Sequence, residues 1–134
     1  MSKRQQRVLG QLPDTLSSTT LHKKQISVTD LAALTAKTGD EFALFTNGSQ
    51  RLVFRGNAGG VPLTKSELQG LADKGYKWSG HTHPGTTDIK LDASGWPGDR
   101  MVLDIFRQQQ SQSLILNSAG QRSIFNSTDN IRVD

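Results

Sequence analysis

Two of the three histidines in this chain, His81 and His83, lie one residue apart and just before Pro84. In an extended segment, residues i and i+2 point to the same side, so both imidazoles can reach one ion. Asp99, at the start of a predicted helix, is the preferred third ligand. Three protein ligands and one open position for water are the composition of catalytic zinc sites. The pattern therefore predicts one zinc ion per chain, bound by His81, His83 and Asp99.

Two further aspartates, Asp88 and Asp92, lie in the same predicted loop and are alternatives to Asp99. Asp92 is nearer in sequence to His83, but no predicted element anchors it. Asp99 would be held by the backbone of a helix, although an acidic residue in a first turn also has the ordinary role of favouring the helix dipole. The sequence leaves all three aspartates open as the carboxylate ligand.

Glu41 is the candidate general base. The chain has two glutamates, and Glu67 is explained by a helix capping box with Thr64. Glu41 begins an apolar strand, where a charge has no packing purpose. It either lies at a solvated strand end or takes a proton from a zinc-bound water, whose pKa the metal lowers to about 7. Ser94, between the histidines and Asp99, is a candidate to hydrogen-bond a developing oxyanion.

The composition restricts the chemistry further. The chain has no cysteine, which excludes disulfides, thiolate zinc ligands, a cysteine nucleophile and the zinc deaminase pattern. Any metal must therefore be held by histidine and carboxylate. There is no apolar stretch of transmembrane length, and no hydrophobic signal core follows the basic N-terminus, so a soluble protein with no membrane partner is expected.

The net charge of +4 is concentrated in residues 1–26, since residues 27–134 contain eleven basic and eleven acidic residues. The segment 1–26 is polar and weakly periodic, with Asp14 as its one acid. Its basic residues are Lys3, Arg4, Arg7, Lys23 and Lys24. This pattern predicts a basic flexible arm or linker, or one lying along the surface, and contact with nucleic acid or a membrane is the sharper alternative.

The remaining chain alternates between helical and strand patterns. The predicted elements are a helix over 27–39, strands over 41–46 and 51–55, a helix over 64–75, a strand over 76–81, a helix from Pro97, and strands over 113–117 and 121–125. The dipeptide Asn47-Gly48 favours a hairpin between the first two strands. Trp96 is a candidate for lining a substrate groove. This order predicts an α/β domain, a mixed sheet flanked by helices.

Taken together, Glu41, His81-x-His83-Pro84, Ser94 and Asp99 resemble the motif of the JAB/JAMM (MPN-domain) metalloproteases. The resemblance implies a JAB/MPN-like metallopeptidase domain over 27–134, with a cytidine-deaminase-like layout. It also implies zinc-dependent cleavage of peptide or isopeptide bonds, often those joining ubiquitin-like modifiers. Carried over by residue, His81, His83 and Asp99 would bind zinc, Glu41 would be the base and Ser94 the oxyanion contact. Ser94 and Asp99 are separated by four residues here, where typical members have two.

The segments His-Thr-His-Pro-Gly, Gly-Asp-Arg and Gln-x-Gln-Ser look like the JAB-type C-terminal domains of bacterial polymorphic toxins. That resemblance implies a toxin effector module, secreted or delivered into a target cell as part of a larger protein. It would act on a protein or peptide substrate and have a cognate immunity protein. Two alternatives stay open: a metal-dependent nuclease-type toxin, which the basic segment favours, and a non-catalytic MPN-like binding module.

Overall fold

A computed structural model describes residues 1–95 and 98–133. These residues form α1 (Lys3–Gly10), β1 (Ser18–His22), α2 (Asp30–Thr38), β2 (Phe42–Asn47), β3 (Gln50–Arg55), α3 (Lys65–Asp73), β4 (Lys77–His83), a 3-10 helix (Asp88–Leu91), α4 (Asp99–Ile105), β5 (Ser113–Asn117), β6 (Arg122–Phe125) and β7 (Asn130–Val133). The roles predicted for Trp96 and Pro97 fall outside the described residues. Within those residues, no helix has both the length and the apolar character needed to cross a membrane.

The seven strands form one mixed sheet in the order β1-β3-β2-β4-β5-β6-β7. The β4–β5 pair is parallel and the other pairs are antiparallel. A parallel pair needs a long crossover connection, and here that connection contains the 3-10 helix and α4. The predicted α/β class with a mixed sheet is confirmed. The crossover also brings Asp99, at the start of α4, back toward the carboxyl end of β4.

Both faces of the sheet are covered. Along β2, Phe42 and Leu44 belong to one buried cluster while Ala43 and Phe45 belong to another, as expected for alternating side chains in a strand. The first cluster includes residues of α1 and α2, and the second includes residues of α3 and α4. The sheet therefore lies between two helical layers, and the layer with α3 and α4 is the one that faces the candidate site.

Three local sequence signals have the structure they predict. Gly39 ends α2 in the left-handed conformation, with a φ of 75°. Asn47 and Gly48 lie in the turn between β2 and β3, where Gly48 has a φ of 58°. Thr64 and Glu67 form both hydrogen bonds of a capping box at the start of α3. Glu67 therefore has a structural role, which leaves Glu41 as the glutamate without one.

Residues 1–26 are part of the folded body, which corrects the predicted flexible arm and the boundary at residue 26. β1 pairs with β3 along its whole length and extends the sheet. Val8, Leu12, Leu21 and Ile26 are 0–6% exposed and pack in the cluster beside α2. Because these four apolar residues are widely spaced among polar ones, their pattern is too weakly periodic to have predicted a helix and a strand.

Arg4 fastens α1 to the start of α2. Its guanidinium donates to both carboxylate oxygens of Asp30, at 2.8 and 2.9 Å, and the Gln5 amide donates to the same carboxylate at 3.0 Å. Burial raises the pKa of Asp30, but the hydrogen bonds from Ser27, Gln5 and Arg4 outweigh it and hold that pKa below its usual value. The charge of Arg4 is therefore paired with a carboxylate of the folded domain.

The C-terminal residues include a strand, β7, beyond the last strand that the sequence predicts. β7 pairs with β6, and the Asn130 side chain contacts the segment that follows the 3-10 helix. The Asn130 amide nitrogen donates to the Leu91 carbonyl at 2.9 Å, and its oxygen accepts from the Ala93 N–H at 2.9 Å. Arg100 also donates to the Ala93 carbonyl at 3.1 Å. These bonds fix the backbone at Leu91 and Ala93, between the two histidines and Asp99.

Gly56 is required by a close backbone approach next to Glu41. A Cβ at Gly56 would lie 2.0 Å from the Gly60 carbonyl oxygen and 2.8 Å from the Val61 Cα. The Gly56 N–H donates to the Glu41 carbonyl at 2.7 Å, so this tight loop also holds the start of β2. We expect Gly56→Ala to lower the free energy of unfolding by about 2–3 kcal/mol, because only backbone movement can relieve the overlap.

Urea denaturation measures this effect, with Gly70→Ala as the matched control. Gly70 lies within α3, and a Cβ there would meet nothing within 4 Å. Alanine at that position should stabilise the helix by up to about 1 kcal/mol. Equal effects of the two substitutions would contradict the assigned close approach at Gly56.

Candidate metal centre

A β-bulge in β4 sets the direction of the first histidine. Gly80 lies opposite Leu44 and Trp78 opposite Phe45, so Ser79 is an extra residue in the strand. The bulge puts Trp78 and His81, which are three residues apart, on the same face of the sheet. Their rings stack with centroids 4.7 Å apart and an interplanar angle of 21°. His81 is only 3% exposed, so the indole backs it with an apolar wall and limits its movement.

His81 and His83 converge as their spacing predicted, and Asp99, the preferred of the three candidate carboxylates, lies beside them. The two Nε2 atoms are 3.0 Å apart. His81 Nε2 lies 3.0 Å from Asp99 Oδ1, and His83 Nε2 lies 3.2 Å from Asp99 Oδ2. Ligands of a tetrahedral zinc ion, at its usual bond lengths, are about 3.3–3.6 Å apart. A small outward movement of these atoms would therefore accommodate the ion, and one nitrogen from each ring with a carboxylate oxygen is a suitable donor set for zinc.

The backbone fixes the tautomer of His83. Its Nδ1 lies 3.0 Å from the carbonyl oxygen of Lys90. Because a carbonyl oxygen can only accept, Nδ1 carries the proton and donates it. In the neutral ring the lone pair is then on Nε2, which faces Asp99 and His81. This is the usual orientation of a metal-binding histidine, whose second nitrogen donates to a carbonyl or carboxylate.

The charges of the cluster favour a bound cation. Burial raises the pKa of Asp99, but attraction to His81 and hydrogen bonds with both rings outweigh it and hold that pKa far below its usual range. Burial lowers the pKa of His83, but the hydrogen bond and charge of Asp99 outweigh it and raise that pKa. The carboxylate is therefore ionised and attracts positive charge to the two rings. A divalent ion would supply that charge at the same point.

Asp99 is the carboxylate that the structure brings to the histidines. Asp88 is instead paired with Arg132 at 2.7 Å, and its side chain is 70% exposed. Asp92 is also exposed and follows the 3-10 helix. Neither is among the groups that converge on His81 and His83 within the described part of the chain. Asp99 remains the supported third ligand.

Ser94 positions Asp99 through two reciprocal hydrogen bonds. The Ser94 N–H donates to Asp99 Oδ2 at 3.0 Å, and the Asp99 N–H donates to Ser94 Oγ at 2.7 Å. The second bond satisfies a free N–H at the start of α4. Ser94 also lines the cavity that contains the triad. Its hydroxyl can still donate a proton to a ligand, so the predicted oxyanion contact stays a prediction.

Glu41 lies on the same side of the sheet as the triad. It precedes Ala43 by two residues, and Ala43 lies opposite His81 in the β2–β4 pair. Its side chain lines the same cavity. Burial raises the pKa of Glu41, the histidines oppose that rise and the charge of Asp99 adds to it, with a net increase. A carboxyl group with a raised pKa, beside a metal site, suits a residue that accepts and then releases a proton.

No family model, no curated protein and no solved structure matches this chain. The membership of the JAB/JAMM family therefore stays a prediction that rests on the resemblance of the motif residues. The chemistry of the centre rests on the positions of its own side chains.

The centre opens into a cavity of about 690 Å³. Away from the triad, its walls are largely apolar and come from β2, the loop before α3, α3 itself and α4. They include Phe45, Val61, Leu63, Leu68, Met101 and Val102. The sequence does not predict this wall, because its residues come from separate strand, loop and helix segments that only the fold brings together. A ligand at the metal would therefore contact an apolar surface.

Proposed function

We propose that the chain is a zinc-dependent hydrolase of peptide or isopeptide bonds, with the layout of the JAB/JAMM (MPN-domain) metalloproteases. The observation that carries this proposal is the convergence of His81, His83 and Asp99 in a cavity that Glu41 also lines. Three protein ligands leave a coordination position for a reactant, whereas structural zinc sites use four. The arrangement supports a catalytic rather than a structural ion.

Each residue has a defined role in that reaction. When bound, zinc supplies Lewis acidity, which lowers the pKa of a water to about 7 and polarises a carbonyl group. Glu41 accepts a proton from the attacking water and delivers it to the leaving nitrogen as the C–N bond breaks. The Ser94 hydroxyl donates a hydrogen bond to the oxygen that gains negative charge. The Lys90 carbonyl and the Ser94 N–H hold His83 and Asp99 in their binding orientations.

The resemblance to toxin-linked JAB domains extends this proposal. In this view the domain is an effector module of a larger exported protein. Its substrate is a protein or peptide of the target cell, and an immunity protein protects the producing cell. The support is the likeness of the sequence segments around His81–His83 and Asp99.

A nuclease-type activity has less support from the site. The common two-metal phosphoryl-transfer sites use several carboxylates. Among the described residues that line this cavity there are two carboxylates, Glu41 and Asp99. Arg4, one of the basic residues that favoured nucleic acid, is paired with Asp30. A non-catalytic binding module is also less favoured, because the triad and the base are all present.

Metal content tests the proposal directly. We expect about one zinc ion per chain after gel filtration, measured by inductively coupled plasma mass spectrometry. His81→Ala/His83→Ala should lose the zinc, because it removes two of the three ligands. Asp92→Ala is the matched control and should keep it, since Asp92 lies outside the triad.

Two outcomes would contradict the metal assignment: no bound metal, or metal content that the double substitution leaves unchanged. If zinc is bound, incubation of the protein with unfolded proteins or with peptides should produce new chain ends, which mass spectrometry detects. That cleavage should stop on addition of a chelator and return with zinc.

A further inference from the structure

Lys90 is the one lysine or arginine among the described residues that line the cavity. The other charged or titratable groups there are Glu41 and Asp99 and the two histidines. Within the described residues, no carboxylate lies within ion-pair distance of the Lys90 ammonium. A cation beside a hydrolytic centre, with no ion pair of its own, is suited to bind an anionic group of a ligand.

The position of Lys90 is fixed by its backbone. Its carbonyl accepts from His83 Nδ1 at 3.0 Å, and its N–H donates to the Thr87 carbonyl at 3.1 Å. The backbone of Lys90 is therefore joined directly to His83. A change of the Lys90 side chain leaves both backbone bonds possible, so the charge can be tested without removing the contact that orients His83.

The Lys90 stem lies across Gly85. A Cβ at Gly85 would be 3.1 Å from both Lys90 Cε and Lys90 Cγ, and Gly85 has a φ of 117°, which favours glycine. Gly85 is held in turn by Ser118, whose hydroxyl accepts the Gly85 N–H at 2.9 Å and whose N–H donates to the Gly85 carbonyl at 2.8 Å. The aliphatic part of the exposed Lys90 side chain thus lies on a fixed surface, and its charge lowers the pKa of Glu41, which lines the same cavity.

We propose that Lys90 is a specificity residue, which selects substrates with a carboxylate beside the scissile bond. This inference rests on the proposed function. The carboxylate can come from an acidic side chain or from the free end of a chain, and both would pair with the ammonium. The apolar wall that includes Val61, Leu68 and Val102 receives a neighbouring apolar side chain. The alternative is that Lys90 only offsets the negative charges of Glu41 and Asp99.

Matched peptides distinguish these roles. Every peptide of the set contains one fixed leucine. Glu, Gln or Lys is placed at each position in turn on either side of that leucine. Each peptide is made with a free and with an amidated C-terminus. Binding is measured by fluorescence anisotropy on zinc-loaded Glu41→Gln protein, and kcat/KM is measured on the unaltered chain. We expect the best Glu peptide to bind about tenfold more tightly than its Gln partner, which corresponds to about 1.4 kcal/mol.

Lys90 variants then test the source of that preference, with the Glu41→Gln substitution present throughout. Lys90→Met should reduce the Glu-to-Gln affinity ratio from about ten to about one, and Lys90→Glu should favour the Lys peptide instead. Lys37→Met is the control, because Lys37 is an exposed residue of α2 on the other side of the sheet, and the ratio should stay near ten. Dependence on the free C-terminus, rather than on Glu, would identify a chain end as the carboxylate.

The outcomes separate this inference from the proposed function. Binding with a Lys90-dependent preference, but no hydrolysis by the unaltered chain, would overturn the hydrolase and retain the anion-binding role. Two results would overturn the role of Lys90 alone. One is cleavage with equal kcat/KM and equal affinity for the Glu and Gln peptides. The other is a Glu-to-Gln affinity ratio that Lys90→Met leaves unchanged. Absence of binding to every peptide would also overturn it.

Discussion

Glu41→Gln should keep its zinc and lose its hydrolytic activity, with kcat/KM lower by about 10²–10⁴. The amide has nearly the same size and shape as the carboxylate, but it cannot accept and return a proton. Glu41 lines the cavity without belonging to the three converging side chains that are proposed to bind zinc. The change should therefore affect proton transfer rather than metal binding. Zinc content and peptide cleavage, measured on the same preparation, give the two readouts.

Glu67→Gln is the matched control, since Glu67 is the other glutamate of the chain. Its Oε1 accepts the Thr64 N–H at 3.1 Å in the capping box, and glutamine can serve in the same motif. Activity and zinc content should both be unchanged. Cleavage retained by Glu41→Gln would remove the general-base role, whereas loss of zinc would make Glu41 a ligand.

Deletion of residues 1–26 should abolish cooperative folding. The deletion removes Val8, Leu12, Leu21 and Ile26 from the core beside α2, together with the strand that covers β3. Burial of each such side chain contributes about 1.5–3 kcal/mol, and the net stability of a domain is about 5–15 kcal/mol. The newly exposed edge of β3 would also promote aggregation. Thermal unfolding followed by circular dichroism measures the loss.

A charge-only control separates packing from electrostatics. Lys3→Gln/Lys23→Gln/Lys24→Gln removes three exposed charges of the same segment and leaves its apolar residues in place. Each change should alter the free energy of unfolding by less than about 0.5 kcal/mol. A deletion variant with a full cooperative transition would restore the independent arm that the sequence had predicted.

The parts of the fold that the sequence predicted depend on short-range physics. Gly39, the Asn47-Gly48 turn and the Thr64–Glu67 capping box act within a few residues, and their effects on the backbone do not need a tertiary partner. The same is true of the two histidines, whose shared direction follows from the two-residue repeat of a strand. The convergence of the two imidazoles was therefore predictable from their own segment.

The rest depends on contacts between distant residues. Asp99 was one of three candidate carboxylates, and the difference lies partly in Ser94 and partly in Asn130, which holds the connecting loop from the far end of the chain. Residues 1–26 looked like an arm because their four buried residues are buried in a cluster with residues of α2, β2 and β3. No pattern within either segment carries that information.

The bulge at Ser79 makes the length of β4 as important as its composition. Trp78 is needed in the core beneath α3 and α4, and His81 is needed on the same face. In a regular strand an odd separation would send them to opposite faces, and a shift by one residue turns every later side chain over. Because Ser79 is an extra residue, Trp78 and His81, which are three residues apart, lie on the same face, as residues two apart do in a regular strand. The bulge and the residue number of this strand must therefore match. If β4 became regular at its present length, both imidazoles would point into the layer occupied by α2, whereas deletion of Ser79 would leave Trp78 and His81 two residues apart and on one face.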